Sequence, residues 1–177
     1  MTTAVRNERL KQRFQKWDVN NNGYIERSDY EAEAQRIIKA FGEAPSSPKA
    51  RALLDAYLGM YDQMARKVGA RQGVTEDQFI QYVSSQMFEQ GDAGFNRVLR
   101  PTITAIVNLC DTDGDGKVSP AEFKRWLGAV GVPPTEADSS FRKLDKDNDG
   151  HLSVEELTQA VRDFHAGTSD VNLLGGR

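Results

Sequence analysis

Two twelve-residue segments with one layout constrain this chain more than any other feature: DTDGDGKVSPAE at 111–122 and DKDNDGHLSVEE at 145–156. Both place oxygen-bearing side chains at positions 1, 3, 5, 9 and 12, a glycine at 6 and an aliphatic residue at 8. Curling either segment gathers Asp111, Asp113, Asp115 and Glu122, or Asp145, Asp147, Asp149 and Glu156, around one centre. Like charges that close repel unless a cation sits among them. The spacing matches the calcium-loop pattern without a mismatch. Calcium takes six to eight oxygens at about 2.3–2.6 Å, and alternate side chains of a curling chain supply them. Gly116 and Gly150 permit the sharp turn that presents the position-7 carbonyls of Lys117 and His151. Glu122 and Glu156 are long enough to clamp with both oxygens, while Val118 and Leu152 point away and can pair in a short β-bridge.

The flanks agree with the loops. Ile103, Ile106, Val107 and Cys110 form one helical stripe before the first segment, and Phe123, Trp126, Leu127 and Val130 form another after it. Phe141 and Leu144 precede the second segment, and Leu157, Val161 and Phe164 follow it. Ser119 with Glu122, and Ser153 with Glu156, read as capping boxes that start the outgoing helices, with Pro120 at a tolerated first-turn position.

Internal repeats bound the architecture. A third segment, DVNNNGYIERSD at 18–29, keeps Asp18, Gly23, Ile25 and Asp29 but has Asn20 and Asn22 where acids can stand. Read alone it is either a thinned metal site or a vestige. Helix–loop–helix units of this kind, EF-hands, occur in pairs, so a fourth is expected. KVGARQGVTEDQ at 67–78 supplies it, with Val74 at position 8 and a Thr75–Gln78 capping box. Its ligand positions hold Lys67, Gly69, Arg71 and Gln78, so this loop keeps the fold and has lost the ion. Its expected role is to pair Val74 with Ile25 and brace the first loop.

The expected fold is all-α, with four EF-hand units in two paired lobes, 1–90 and 91–177, and one degenerate loop. A Pro/Ser-rich connection at 44–48 separates units one and two, and GDAG at 91–94 lies between the lobes. Val132-Pro133-Pro134 ends the third outgoing helix, and Thr135 with Asp138 reads as a weaker capping box. A hydrophobic content of 38% in 177 residues can fill such a core, and the net charge of −3 argues against a nucleic-acid binder with a dominant basic face. One cysteine precludes an internal disulfide, and MTTAVRNERLKQRF lacks the apolar core of a signal peptide. No apolar run reaches the roughly 20 residues a membrane span needs. These features lead to the expectation of a soluble, cytoplasmic chain.

The loop order and the long separation of the first two loops resemble the calerythrin-like bacterial EF-hand proteins, relatives of the sarcoplasmic calcium-binding proteins. RFQKWD, FEQGDAGFNRVL, AVRDFH and the tail DVNLL carry the resemblance outside the loops. It implies a compact helical monomer holding up to three Ca²⁺ ions in a buffering or signalling role. It also implies ligand roles for Asp18, Asn20, Asn22, Asp29 and the Tyr24 carbonyl in loop one, beside those of Asp111, Asp113, Asp115, Lys117 and Glu122 in loop three. The corresponding residues in loop four are Asp145, Asp147, Asp149, His151 and Glu156.

Other readings find less support. There is no phosphate-cradling glycine loop, nucleophile elbow or His/Cys pair with a base, so no enzyme is expected. His151 should face solvent, His165 has no partner at metal-ligand spacing, and Cys110 and Trp17 read as core. Arg97 and Arg100 read as a solvated face. A sensor exposes an adaptable, often Met-rich groove on binding, whereas a buffer barely opens. Met60, Met64 and Met87 all lie around unit two, and the C-terminal pair has none, which favours a buffer or transporter over a sensor with a protein target. The tail at 170–174 is either frayed or folded over a groove.

Asp29 is one methylene shorter than the usual Glu, so a two-oxygen clamp requires its helix to move inward. A single-oxygen contact leaves a smaller shell, nearer the octahedral preference of Mg²⁺. Loop one should therefore hold Ca²⁺ more weakly than loops three and four and tolerate Mg²⁺ better. Asp29→Glu is expected to raise its Ca²⁺-over-Mg²⁺ preference in a competition titration; weaker calcium binding would defeat the short-arm argument.

Overall fold

The structure is a computed structural model describing residues 3–18, 20–166 and 169. The tail at 170–174 and the side chain of His165 lie outside the described residues. Among the described residues eight α-helices follow in order: α1 (Thr3–Trp17), α2 (Arg27–Ala40), α3 (Pro48–Val68), α4 (Glu76–Val83), α5 (Gly91–Cys110), α6 (Pro120–Ala129), α7 (Pro134–Leu144) and α8 (Val154–Ala166). Among the described residues none is long and apolar enough to cross a membrane.

Local sequence explains most helix starts. Ser47 accepts a hydrogen bond from the Ala50 amide at 3.1 Å, and Pro48 opens α3 where a missing amide hydrogen costs nothing. Both bonds of the Thr75–Gln78 and Ser119–Glu122 capping boxes are present. The reciprocal pair at Ser153–Glu156 measures 3.0 and 3.1 Å. The box expected between Thr135 and Asp138 does not form. Pro133 occupies the N-cap position and Pro134 is the first residue of α7, so the helix begins two residues early with φ already fixed by the ring.

The expected pairing of loops is present as two isolated antiparallel bridges, Ile25 with Val74 and Val118 with Leu152. Each bridge has two backbone hydrogen bonds of 2.8–2.9 Å. All four residues are completely buried, so each bridge joins two loops and roofs the core at once.

The buried side chains form one continuous cluster drawn from both halves of the chain. Helix α3 packs on α5, α2 on α6, and α1 and α5 on α8. Trp17 stacks on Tyr30 with centroids 3.8 Å apart, and Tyr57 and Tyr61 meet Tyr30 edge-on. Cys110 is fully buried at the end of α5, as its stripe predicts, and burial pushes its thiol pKa up. Polar clamps also join the halves: Arg125 donates to the Ala40 carbonyl at 2.8 Å, and Lys49 to the Asp111 carbonyl at 3.1 Å.

Two features go beyond the sequence reading. The segment at 91–94 is the first turn of α5, and a π-helical turn, Ser84–Phe88, precedes it. A Cβ on Gly94 would lie 2.4 Å from the Gln86 carbonyl oxygen, so glycine is what allows α5 to cross so near the π turn. Arg97 fastens the same crossing by donating to the Gln86 carbonyl at 3.1 Å and to Gln90 Oε1 at 2.7 Å, and so does more than face solvent.

Candidate metal centres

Loops three and four are built by the same backbone device. The amides of Asp115 and Gly116 donate to the two oxygens of Asp111 at 3.1 and 2.7 Å, and those of Asp149 and Gly150 to Asp145 at 3.2 and 2.9 Å. The amide after each glycine donates to the position-5 carboxylate: Lys117 to Asp115 at 2.9 Å, His151 to Asp149 at 2.8 Å. The amides of Asp115 and Asp149 also donate to the position-3 acids Asp113 and Asp147, at 3.3 and 3.2 Å, so the acids at 1, 3 and 5 are all tied to the loop backbone. Position 6 has φ of 75° at Gly116 and 80° at Gly150, in the left-handed region that the sharp turn demands. Position 4 is left-handed too, at Gly114 and Asn148, a feature the motif spacing does not mark.

Among the described residues, Asp145, Asp147, Asp149 and Glu156 each offer an oxygen within 4.8 Å of all the others, and so do Asp111, Asp113 and Asp115. Glu122 stands just outside the second group. Its Oε1 accepts from the Ser119 amide at 2.9 Å, and its Oε2 accepts from the amide and hydroxyl of Thr112, both at 2.8 Å. Glu156 closes loop four in the same way, on the amides of Ser153 and Lys146 at 3.0 and 2.8 Å. The long position-12 side chain therefore spans from its own helix cap to position 2.

The electrostatics carry the mark of crowded acids. A hydrogen bond with Asp111 holds the Asp113 carboxyl above its ordinary range. Burial works against ionised Asp111, but the amide donors of Gly116, Asp115 and Gly114 outweigh it and hold that carboxyl low. A divalent cation relieves this competition directly. The donor set, all oxygen and strongly anionic, suits a hard ion such as Ca²⁺.

Loop one has the same scaffold and a different lining. The amides of Asn22 and Gly23 donate to Asp18 at 3.1 and 2.8 Å, and that of Tyr24 to Asn22 Oδ1 at 3.0 Å. Asp29 accepts from the Glu26 amide at 2.7 Å, and burial raises its carboxyl pKa. Glu26 at position 9 accepts from the side-chain Nδ2 groups of Asn22 and Asn20, at 3.0 and 3.4 Å, which adds an acid to a loop poor in them. Loop two is closed without any acid at its ligand positions. Gln78 accepts from the Thr75 amide at 3.0 Å and reaches the Val68 carbonyl at 3.5 Å, in place of the glutamate clamp.

Sequence reasoning missed the two contacts that cross between loops three and four. His151 was expected in solvent, yet its Nε2 lies 3.2 Å from Asp115 Oδ2 of the partner loop. Reciprocally, Lys117 pairs with Asp149. The spacing within one loop cannot reveal such a crossing, because it arises from the bridge.

A family model described as an EF-hand domain pair matches residues 102–162, the segment that holds loops three and four. Calerythrin from Saccharopolyspora erythraea is 44% identical over 177 residues, 99% of this chain and 100% of that protein. The chain belongs to the calerythrin family of EF-hand proteins. A luciferin-binding protein from Renilla reniformis is 32% identical, covering 93% of this chain and 88% of its own. Among solved structures, a calcium-binding protein from Streptomyces coelicolor, described in terms of prokaryotic calcium-mediated regulation, superposes with a TM-score of 0.77. It is 29% identical over 90% of this chain and 97% of its own. Membership in the calerythrin family agrees with the calcium chemistry of the two acidic loops and with the paired helix–loop–helix fold.

The bridge between loops one and two gives a direct check on the bracing role. A Cβ on Gly73 would meet Tyr24 Cβ at 2.9 Å and the Ile25 carbonyl oxygen at 3.0 Å. Gly73→Ala is therefore expected to weaken calcium binding at loop one several-fold while leaving loops three and four unchanged in a site-resolved titration. Unaltered binding at loop one would remove the bracing role from loop two.

Proposed function

We propose that this calerythrin-family protein is a non-catalytic calcium buffer or transporter of the cytoplasm, acting as a monomer. It holds up to three Ca²⁺ ions. The ligands are Asp111, Asp113, Asp115, Glu122 and the Lys117 carbonyl in loop three, and Asp145, Asp147, Asp149, Glu156 and the His151 carbonyl in loop four. Asp18, Asn20, Asn22, Asp29 and the Tyr24 carbonyl form a weaker third site that also accepts Mg²⁺. Loop two holds none. The bound ion supplies charge neutralisation; the chain supplies a preformed cup and two closing glutamates.

The observation that carries the buffer reading is the disposition of apolar surface. The two halves pack on each other, and Val5 and Tyr24 are the exposed large hydrophobic residues among those described. The methionines that could form an adaptable groove turn inward. Met64 and Met87 are buried and Met60 half-buried, and the three line a partly open apolar pocket of about 80 Å³ together with Trp17, Tyr30 and Phe95. A sensor would have to separate helices whose contacts are the core itself.

The second reading is a sensor that exposes an apolar groove to a protein target. It is favoured by the regulatory description of the Streptomyces coelicolor relative. A calcium titration in millimolar Mg²⁺, followed with a hydrophobic-probe dye, separates the two. The buffer reading predicts three calcium ions per chain and no gain in dye fluorescence on adding calcium. A strong gain on calcium addition would favour the sensor.

A further inference from the structure

The two acidic loops match in ligand type, yet the structure surrounds them unequally. The bridge from Val118 to Leu152 sets Lys117 and His151 on either side of the joint, and each reaches the position-5 carboxylate of the opposite loop. Asp149 uses its two oxygens differently. Oδ1 accepts from the His151 amide at 2.8 Å, while Oδ2 takes the Lys117 ammonium. The ammonium thus occupies the oxygen that the loop's own backbone leaves over. Asp115 receives the ring Nε2 of His151 at 3.2 Å, not the fixed charge of a lysine. At the other bridge position 7 is Tyr24 and Gly73, and neither carries a charge.

We propose that the Lys117 side chain is an affinity-setting residue for loop four, weakening divalent-cation binding there while its own carbonyl serves loop three. This rests on the reading of loop four as a calcium site. The Lys117 ammonium sits on Asp149, one of the carboxylates that would ligate a cation in loop four. Its positive charge remains within a few ångströms of that cation and opposes it. Both side chains are partly exposed, 42% for Lys117 and 29% for Asp149, so the effect is moderate and sensitive to salt. A unit charge at that distance from a divalent ion, in a water-like dielectric with partial screening, changes affinity by about three- to tenfold. The consequence is two sites with equal carboxylate complements and unequal affinities, which widens the range of calcium over which the chain responds.

The test uses the full chain and a reporter in each loop. The amides of Gly23, Gly116 and Gly150 each donate to the position-1 carboxylate of their own loop, at 2.8, 2.7 and 2.9 Å, so their NMR signals report that loop's occupancy. Free calcium is set by a chelator of known affinity at low ionic strength. Lys117→Met should lower the calcium needed to half-saturate Gly150 by about three- to tenfold, and should move Gly116 less. Lys117→Arg, which preserves the charge, should stay close to wild type. The gain from Lys117→Met should shrink in about 0.5 M KCl, where the screening length is only a few ångströms. An unchanged or raised half-saturation at Gly150 overturns the proposal. So does an equal shift in Lys117→Arg, a larger shift at Gly116, or a gain that persists in high salt. A Gly150 signal insensitive to calcium in the wild-type chain would overturn the loop-four calcium site itself, a separate outcome from an unaltered response in the variant.

Discussion

Position 8 is where metal chemistry and core packing meet. Ile25, Val74, Val118 and Leu152 are completely buried, and their backbones form both bridges. An exposed loop that gathers acids has no reason to hold its shape; a loop hung from a buried aliphatic residue does. On one side of Val118 and Leu152 lies the core built by Phe123, Leu127, Phe141 and Leu157. On the other lie the carboxylates, oriented by amides that the same backbone presents. Displacing a bridge residue therefore disturbs the apolar roof and the ligand cup together.

This arrangement gives a structural place to a loop with no acid at its ligand positions. Val74 is as buried as Ile25, and Gly73 lets the second loop approach Tyr24 and Ile25 closely. Loop two also preserves its helix cap, and Gln78 closes it with neutral hydrogen bonds. Its contribution is to the geometry of its neighbour. The halves share one core, and directed polar contacts add to it. Arg125 lies over the Phe41 ring at 4.8 Å while donating to the Ala40 carbonyl, at the end of the helix that leaves loop one. The clamp ties the exit helices of loops one and three.

Much of this was legible in the sequence because it depends on short spacings. The acid positions, the turn glycines, the aliphatic position 8 and the Ser–Glu caps all fall within twelve residues, and the burial of Trp17 and Cys110 follows from helical stripes. What was not legible depends on chain segments meeting in space. The π turn at Ser84–Phe88 answers to the close crossing of Gly94, and the Lys117–Asp149 pair answers to the bridge. The arginines of α1 are a further case. Arg6, Arg9 and Arg13 lie over Phe88, Phe164 and Trp17 at 4.8, 4.3 and 4.2 Å. Their spacing marks one helix face, but their charge marks solvent, and only the packed aromatic rings resolve the conflict. Arg13 also pairs with the buried Glu33 at 3.5 Å. Thr135 and Asp138 fail in the opposite direction, since a plausible box gives way to a proline that starts the helix sooner.

A divalent cation would complete loops three and four, which otherwise crowd carboxylates against each other. Thermal unfolding of the full chain, in calcium and then in chelator at the same ionic strength, tests it most directly. Ligand at about a thousand times its dissociation constant stabilises a site by about 4 kcal/mol. With each kcal/mol worth about 2–4 °C in a chain of this size, calcium should raise the unfolding midpoint by more than about 10 °C. A midpoint that is the same in calcium and in chelator would contradict the account.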